Sequence, residues 1–285
     1  MKLKFHSDKP VKKLIDVEKL IADKNPKLLK RIPGFLLRYI KRTLHEEDLN
    51  IFIDQNENNY GYDFCKAVID AFEFEIVIHG AENIPRSGGC IFASNHPMGG
   101  MDANTLVVGL KGIRDDIRFI VNDVLLSLPN LQEIFVGVNK HGKNATQSLQ
   151  KVDELFASDK AVFLFPAGLV SRKVNGEIVD LEWKKTFVTR AKKYESPIVP
   201  VYINGRLSNF FYRFANIRKG LGIKANIEMF YLINELFKQN GKKIDIVFGK
   251  PLPASHFDKS RSDKEWAYWI KEQAYSLKAQ IDEAH

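Results

Sequence analysis

From residue 72 onward, short apolar runs of strand length alternate with longer stretches of helical period, and no other feature limits the fold so tightly. "FEFEIVIHG" (72–80) alternates apolar and polar residues as a half-buried strand does, and "CIFASNH" (90–96) is a short buried strand. Helix "DANTLVVGLKGI" (102–113) follows, then strand "IRFIVN" (117–122), helix "VLLSLPNLQEIF" (124–135) and strand "FVGVN" (135–139). Helix "ATQSLQKVDELFAS" (145–158), strand "AVFLFPAG" (161–168), helix "WKKTFVTRAKKY" (183–194) and strand "PIVPVYING" (197–205) continue the pattern. "KANIEMFYLINELF" (224–237) mixes both periods, "KIDIVFGKPLP" (243–253) is a late strand ending in prolines, and residues 263–284 form a terminal amphipathic helix. Strands and helices in alternation predict an α/β fold, a mostly parallel mixed sheet flanked by helices.

The chain before this region has a different character. Residues 24–45 carry seven Lys or Arg and no acid, interleaved with Leu28, Leu29, Ile32, Phe35, Leu36, Leu37, Tyr39 and Ile40. That is the composition of a basic amphipathic helix lying in a membrane interface, bent at Pro33-Gly34, and equally of a surface helix whose basic side chains snorkel over the main domain. "FCKAVIDAF" (64–72) reads as one more helix. The expected division is an N-terminal helical, membrane-surface segment over residues 1–70 and an α/β domain over residues 71–285.

A length of 285 residues suffices for such a domain with an added segment. The longest apolar runs stop short of the roughly 18 residues needed to span a bilayer, the start lacks the apolar stretch of a secretory signal, and two cysteines are too few for a disulfide framework. A cytoplasmic protein is expected. The net charge of +8 attracts polyanions: nucleic acid, an anionic membrane face or an acidic protein.

In sheets of this kind, function collects in loops beyond the carboxyl ends of strands. Three such loops carry unusual residues. In "SNHPMGGMD" (94–102), His96 and Asp102 flank a glycine-containing turn. A neutral imidazole accepts a proton from an alcohol, and an aspartate fixes its tautomer and steadies the imidazolium. The alternative is a helix N-cap at Asp102 beside a loop histidine. Without a serine or cysteine to complete a triad, the attacking hydroxyl belongs to the substrate, which points to direct transfer.

In "GVNKHGKN" (137–144), Gly137, Gly142 and Lys143 fit the G-x-x-x-x-G-K spacing, but Asn144 stands where a magnesium-holding Ser or Thr is needed. Lys140, His141 and Lys143 beside a helix N-terminus still suit an anion. "FPAGLVSRK" (165–173) ends an apolar strand and supplies Ser171, Arg172 and Lys173, residue types that suit a phosphate or carboxylate. The remaining histidines have no motif context, and Trp183, Trp266, Trp269 and Cys90 read as packing residues.

Taken in order, these stretches resemble the glycerolipid acyltransferase superfamily of lysophosphatidic acid acyltransferases. "NHPMGGMD" is similar to its N-H-x-x-x-x-D motif with one extra residue, "IFVGVNK" loosely to the second motif, "FPAGLVSR" to the third and "IVPVYING" to the fourth. The H-P-x-G-G-x-D and F-P-A-G-x-V-S-R forms resemble the subgroup often labelled hemolysins, which includes the O-acyltransferases of ornithine and glycine lipids. Ala167 replaces the third motif's usual glutamate and Asn122 a lysine typical near the second. Both departures weaken glycerol phosphate as acceptor and favour a lipid head bearing a carboxylate.

The resemblance implies that His96 deprotonates the acceptor hydroxyl while Asp102 orients it. Asn95, Gly99, Gly100, Lys140, Gly168, Ser171, Arg172 and Lys173 would contact substrate, with amides of the Gly99-Gly100 turn or the Gly168 loop as oxyanion donors. It implies a membrane-associated O-acyltransferase, peripheral on the inner face of the cell membrane. The acyl donor would be acyl carrier protein (acyl-ACP) or acyl-CoA, the acceptor a lyso-glycine or lyso-ornithine lipid, and residues 24–45 would meet the anionic membrane surface. No metal or tightly bound cofactor is implied. The rival within the class is a 1-acylglycerol-3-phosphate acyltransferase. A basic nucleic-acid-binding protein is the rival from another class, disfavoured because the basic leader is interleaved with aliphatic rather than stacking aromatic residues. A cytolysin would need a pore-forming segment and an export signal.

Overall fold

The computed structural model describes residues 4–122, 128–138 and 145–282. The chain divides into two compact units, one of residues 1–59 and 207–240, the other of residues 60–206 and 241–285. The first unit opens with α1 (Val17–Lys24), α2 (Pro26–Arg31), α3 (Gly34–Thr43) and α4 (Glu46–Gln55). The basic leader, residues 24–45, is therefore the last residue of α1 and two short helices, α2 and α3, rather than one bent helix. Asn25 breaks it once, its side chain capping α2 through the Leu28 N–H at 3.0 Å. Pro33 breaks it again, extended at the start of α3. Asn50 of α4 accepts the backbone N–H groups of Leu14 and Ile15, both at 2.8 Å, and so fixes the extended chain before α1.

The second unit starts with α5 (Gly61–Ala71), so the observed division falls at residue 59 instead of near residue 70. Then come β1 (Glu75–His79), β2 (Cys90–Ser94), α6 (Gly100–Gly109), β3 (Arg118–Asn122), β4 (Phe135–Val138), α7 (Ala145–Phe156) and β5 (Ala161–Leu164). A hairpin of β6 (Arg172–Val174) and β7 (Glu177–Val179) precedes α8 (Thr186–Tyr194) and β8 (Ile198–Asn204). The chain next contributes α9 (Asn209–Gly220) and α10 (Leu232–Phe237) to the first unit, and returns as β9 (Lys243–Phe248), α11 (Asp263–Ser276) and α12 (Ala279–Asp282).

Among the described residues, seven strands form one mixed sheet in the order β1-β9-β8-β2-β5-β3-β4. Every pairing is parallel except β8 with β9. The central strands are buried on both faces, which is why "CIFAS" and "IVPVYI" read as continuous apolar runs. Phe92, Phe119 and Phe163 stack across neighbouring strands with centroids 4.3 and 5.2 Å apart, and all three are wholly buried. Truncating any of them to Ala costs about 3–5 kcal/mol.

Several expectations need correction. The helix predicted over residues 124–135 is absent from its described part, where Pro129–Leu131 form a 3-10 turn leading into β4. A proline and the start of a strand within that stretch stop helical hydrogen bonding. The terminal helix is two, α11 and α12, and the mixed stretch 224–237 is a 3-10 turn (Ile227–Tyr231) followed by α10. The loop expected at residues 172–173 begins the β6–β7 hairpin, and α9 occupies residues to which the pattern assigned nothing.

Within the first unit, His45 bonds Asp48 at 3.0 Å and Asn234 at 3.3 Å and stacks on Phe237 with centroids 3.8 Å apart. It is a packing residue that joins α4 to α10.

Candidate active site

β2 and β5 are parallel neighbours at the centre of the sheet, so the loops at their carboxyl ends emerge side by side. These are the His96 and Phe165 loops. A residue pair near the end of β2 fixes the first: the Asn95 amide donates to the Ile203 carbonyl at 2.9 Å and accepts the Ile203 N–H at 2.7 Å. Asn95 thus imitates one more rung of the ladder to β8. It is almost fully buried, so it anchors the loop from behind and presents nothing to a substrate.

The next residue faces the other way. His96 Nδ1 lies 2.8 Å from Asp102 Oδ2, with the imidazole 18% exposed and the carboxylate 0%. Asp102 Oδ2 also accepts the N–H groups of Met98 at 3.0 Å and Gly99 at 3.1 Å. The Pro-Met-Gly-Gly turn therefore closes around the carboxylate. Gly99 makes this possible with φ 75° and ψ −135°, a conformation open only to glycine, and serves as N-cap of α6. Asp102 occupies the third helical position rather than the cap, and its side chain reaches back to the N-cap amide as one half of a capping box.

Burial pushes the Asp102 carboxyl above its ordinary range, and the His96 hydrogen bond pulls in the opposite direction. Asp102 Oδ1 has no hydrogen-bond partner among the described residues, so all of the carboxylate's directional bonding converges on the oxygen that holds His96. The other face of the imidazole stacks on Phe165, with centroids 4.0 Å apart and planes 19° apart. Between them, Asp102 and Phe165 fix the ring's plane and leave Nε2 for chemistry.

The "FPAGLVSRK" loop plays a different part from the one its residues suggest. The Gly168 amide closes a turn onto the Phe165 carbonyl at 2.9 Å and is not offered to an oxyanion. Ser171 is completely buried; its N–H donates to the His96 carbonyl at 2.8 Å and its Oγ to Asp180 at 2.6 Å. Arg172 is nearly buried, with Nη1 donating to the Val170 carbonyl. Of Gly168, Ser171, Arg172 and Lys173, only Gly168 and Lys173 reach the surface. Gly99 and Gly100 stand beside His96, whereas Lys140, with His141 and Lys143, lies outside the described residues.

Asp180 stands in none of the three motif loops. This buried carboxylate accepts the His96 N–H at 3.2 Å, Ser171 Oγ–H at 2.6 Å and Trp183 Nε1–H at 2.9 Å. Its own N–H donates to the Tyr275 hydroxyl at 2.7 Å, and its carbonyl accepts Lys271 Nζ at 2.7 Å. Burial lowers the Lys271 pKa and raises that of the Tyr275 phenol. His96 is thereby held at both ends, side chain by Asp102 and backbone by Asp180 and Ser171. Trp183 is a core residue as expected, although it precedes α8 rather than lying in it, and Cys90 is buried with its thiol pushed up to about 12. No group of three or more His, Cys, Asp or Glu among the described residues is placed to hold a metal ion.

An oriented imidazole beside a buried carboxylate, at the carboxyl end of a central strand of the mixed sheet, equips a site to take a proton from an alcohol. Compared with known proteins, residues 19–284 match the Acyltransferase family. A lyso-glycine lipid O-acyltransferase from Phocaeicola vulgatus is 42% identical over 93% of this chain and 95% of the relative. Another from Bacteroides thetaiotaomicron is 42% identical over 93% of this chain and 97% of the relative. Among solved structures, the 1-acyl-sn-glycerophosphate (LPA) acyltransferase PlsC from Thermotoga maritima matches 92% of this chain and 93% of its own, with 20% identity and a TM-score of 0.47. The family match takes in His96, Asp102 and Asp180, and the chain belongs to the acyltransferase family.

Proposed function

We propose that this acyltransferase moves a fatty acyl group from a thioester to the hydroxyl of a lyso-glycine lipid, with His96 as general base and Asp102 as the group that orients it. The observation that carries the reading is the 2.8 Å contact between His96 Nδ1 and Asp102 Oδ2, which leaves Nε2 to receive a proton. The names of the two 42% identical relatives support the acceptor.

In the proposed sequence, Nε2 takes the acceptor's hydroxyl proton as its oxygen attacks the thioester carbonyl carbon. Negative charge moves to the carbonyl oxygen of the tetrahedral intermediate. The Gly99 amide is spent on Asp102 and the Gly168 amide on Phe165, so the first free amides of α6, at Gly100 and Met101, are the donors of choice. The intermediate collapses by breaking the C–S bond, and the departing thiolate recovers the proton from His96. Ester and free thiol are the products. The imidazolium formed in mid-reaction is stabilised by the Asp102 carboxylate.

The donor is the thioester of acyl carrier protein or coenzyme A, both acidic and both drawn to a chain of net charge +8. The basic leader, residues 24–45, docks the enzyme peripherally on the inner face of the membrane, where its acceptor resides. No described helix is long and apolar enough to cross a membrane. The test presents purified protein and acyl-ACP with lyso-glycine lipid, lyso-ornithine lipid and lysophosphatidate in competition. Lyso-glycine lipid is expected to be consumed first; preference for lysophosphatidate overturns the acceptor. His96→Ala is expected to abolish transfer with vesicle binding intact, and turnover near wild type removes His96 from the chemistry.

A further inference from the structure

A second stretch of the first unit shares the leader's chemistry. Residues 207–227 contain Arg213, Arg218, Lys219 and Lys224 and not one carboxylate. Large apolar side chains stand exposed among them: Ile217 is 60% exposed and Leu221 71%, with Phe210, Ile223 and Ile227 also open to solvent. Residues 219–227 are exposed without interruption.

The loop after α9 is nonetheless built. Arg218 Nη1 donates to the Ile223 carbonyl at 2.6 Å, the Ile223 N–H returns to the Arg218 carbonyl at 3.2 Å, and the guanidinium pairs with buried Glu228 at 2.7 Å. Leu221 and Ile223 are therefore held out on a braced loop. Arg213, Lys219 and Lys224 are paired with no carboxylate among the described residues.

Aromatic contacts tie this stretch to the leader. Phe210 and Phe214 both pack edge-on against Tyr231, at 5.1 and 5.5 Å between centroids. The Tyr231 hydroxyl lies 2.9 Å from that of Tyr39 on α3, the helix that also carries Phe35, 69% exposed. We propose that residues 209–227 and α3 form one docking face for an anionic lipid bilayer, with Leu221 and Ile223 inserted among the acyl chains and the Arg and Lys residues at the headgroups. Exposed aliphatic side chains, neighbouring tyrosines and phenylalanines, and cations without carboxylate partners are together the residue types that a membrane interface takes up. The core of a protein interface is depleted in lysine, which disfavours a protein partner. The inference rests on the lipid acceptor of the proposed function, yet it is read out by binding and not by turnover.

The test is flotation of the full chain with vesicles of equimolar phosphatidylcholine and phosphatidylglycerol, and with phosphatidylcholine alone. The double variant Leu221→Asp/Ile223→Asp is expected to bind the anionic vesicles at least about tenfold more weakly, and Arg213→Glu/Lys219→Glu to lose a similar factor. Tyr268→Asp, an exposed position in the other unit, is expected to bind as wild type. Circular dichroism and transfer to a short-chain, water-dispersed acceptor are expected to be unchanged in all three. Undiminished flotation of the double variant overturns the proposal, as does a change from oligomer to monomer in light scattering, which identifies the face as a self-association surface. If the lipid-acceptor reading fails instead, wild-type protein floats but transfers to none of the lyso-lipids.

Discussion

Asp102→Asn separates the charge of the buried carboxylate from its shape. The substituted amide oxygen can still accept the Met98 and Gly99 N–H groups, at 3.0 and 3.1 Å in the native turn, and can still receive His96 Nδ1–H. What disappears is the negative charge that would face the imidazolium formed in the proposed transfer. Two unit charges about 4 Å apart at an effective dielectric of about 20 interact by about 4 kcal/mol. That corresponds to about 10³-fold in kcat. Stability moves less, because two effects oppose each other. The new NH2 group takes the place of Oδ1, which is enclosed without a partner, and an unsatisfied donor there costs about 1–3 kcal/mol. Removing a fully buried charge offsets much of it, since burial is what pushes the Asp102 carboxyl above its usual range. Single-turnover acyl transfer measures the first quantity and thermal unfolding the second. A loss below tenfold with a stable fold, or a loss expressed wholly in KM, refutes the ion-pair role of Asp102.

Three further outcomes follow from the same geometry. With Asp102 titrating above its ordinary 3.8, the native state holds more protons than the unfolded state between those two values. This group's contribution is thus complete below the ordinary value and is lost as pH rises through the window, a slope that Asp102→Asn should abolish in denaturant titrations across a pH series. Asp180→Ala leaves the His96 N–H, Ser171 hydroxyl and Trp183 indole without their acceptor, which should cost about 3–5 kcal/mol and on the order of 10 °C in Tm by calorimetry, with partial recovery in Asp180→Asn. An unchanged Tm would show that these three donors find other partners. Gly99→Ala must force φ 75° and ψ −135° on a residue with a Cβ, at a cost of about 1–3 kcal/mol, and kcat should drop by about tenfold as the Met98 and Gly99 amides leave Asp102.

All seven strands of the main sheet were legible, because each is an apolar or alternating run bounded by turn residues or by a helix of clear period. Their spatial order was not. β9 returns after α9 and α10, and nothing in "KIDIVF" says that it will lie antiparallel to β8. Helix α9 escaped detection because only Phe211, Tyr212 and Ala215 of it are buried, while exposed Phe210 and Ile217 fill the opposite face and blur the period. The His96–Asp102 pair was visible from spacing and from the ordered company of the other loops. Asp180 was not, because it gains its role from partners 84 and 95 residues away and belongs to no local pattern. Ser171 and Arg172 looked like ligands for an anion since charge and polarity are visible in a sequence, whereas burial is not.

The clamp on the His96 backbone bears on any attempt to retarget this enzyme by exchanging loops. Ser171 belongs to the third-motif loop, yet its N–H and hydroxyl help to hold the first-motif loop in place. Grafting a foreign first loop alone would meet a socket cut for another backbone, and grafting a foreign third loop alone would remove both the Phe165 ring stacked on His96 and the Ser171 N–H that holds the His96 carbonyl. The two loops and Asp180 are one transplantable part, and acceptor-swapped chimeras should retain turnover only when all three travel together.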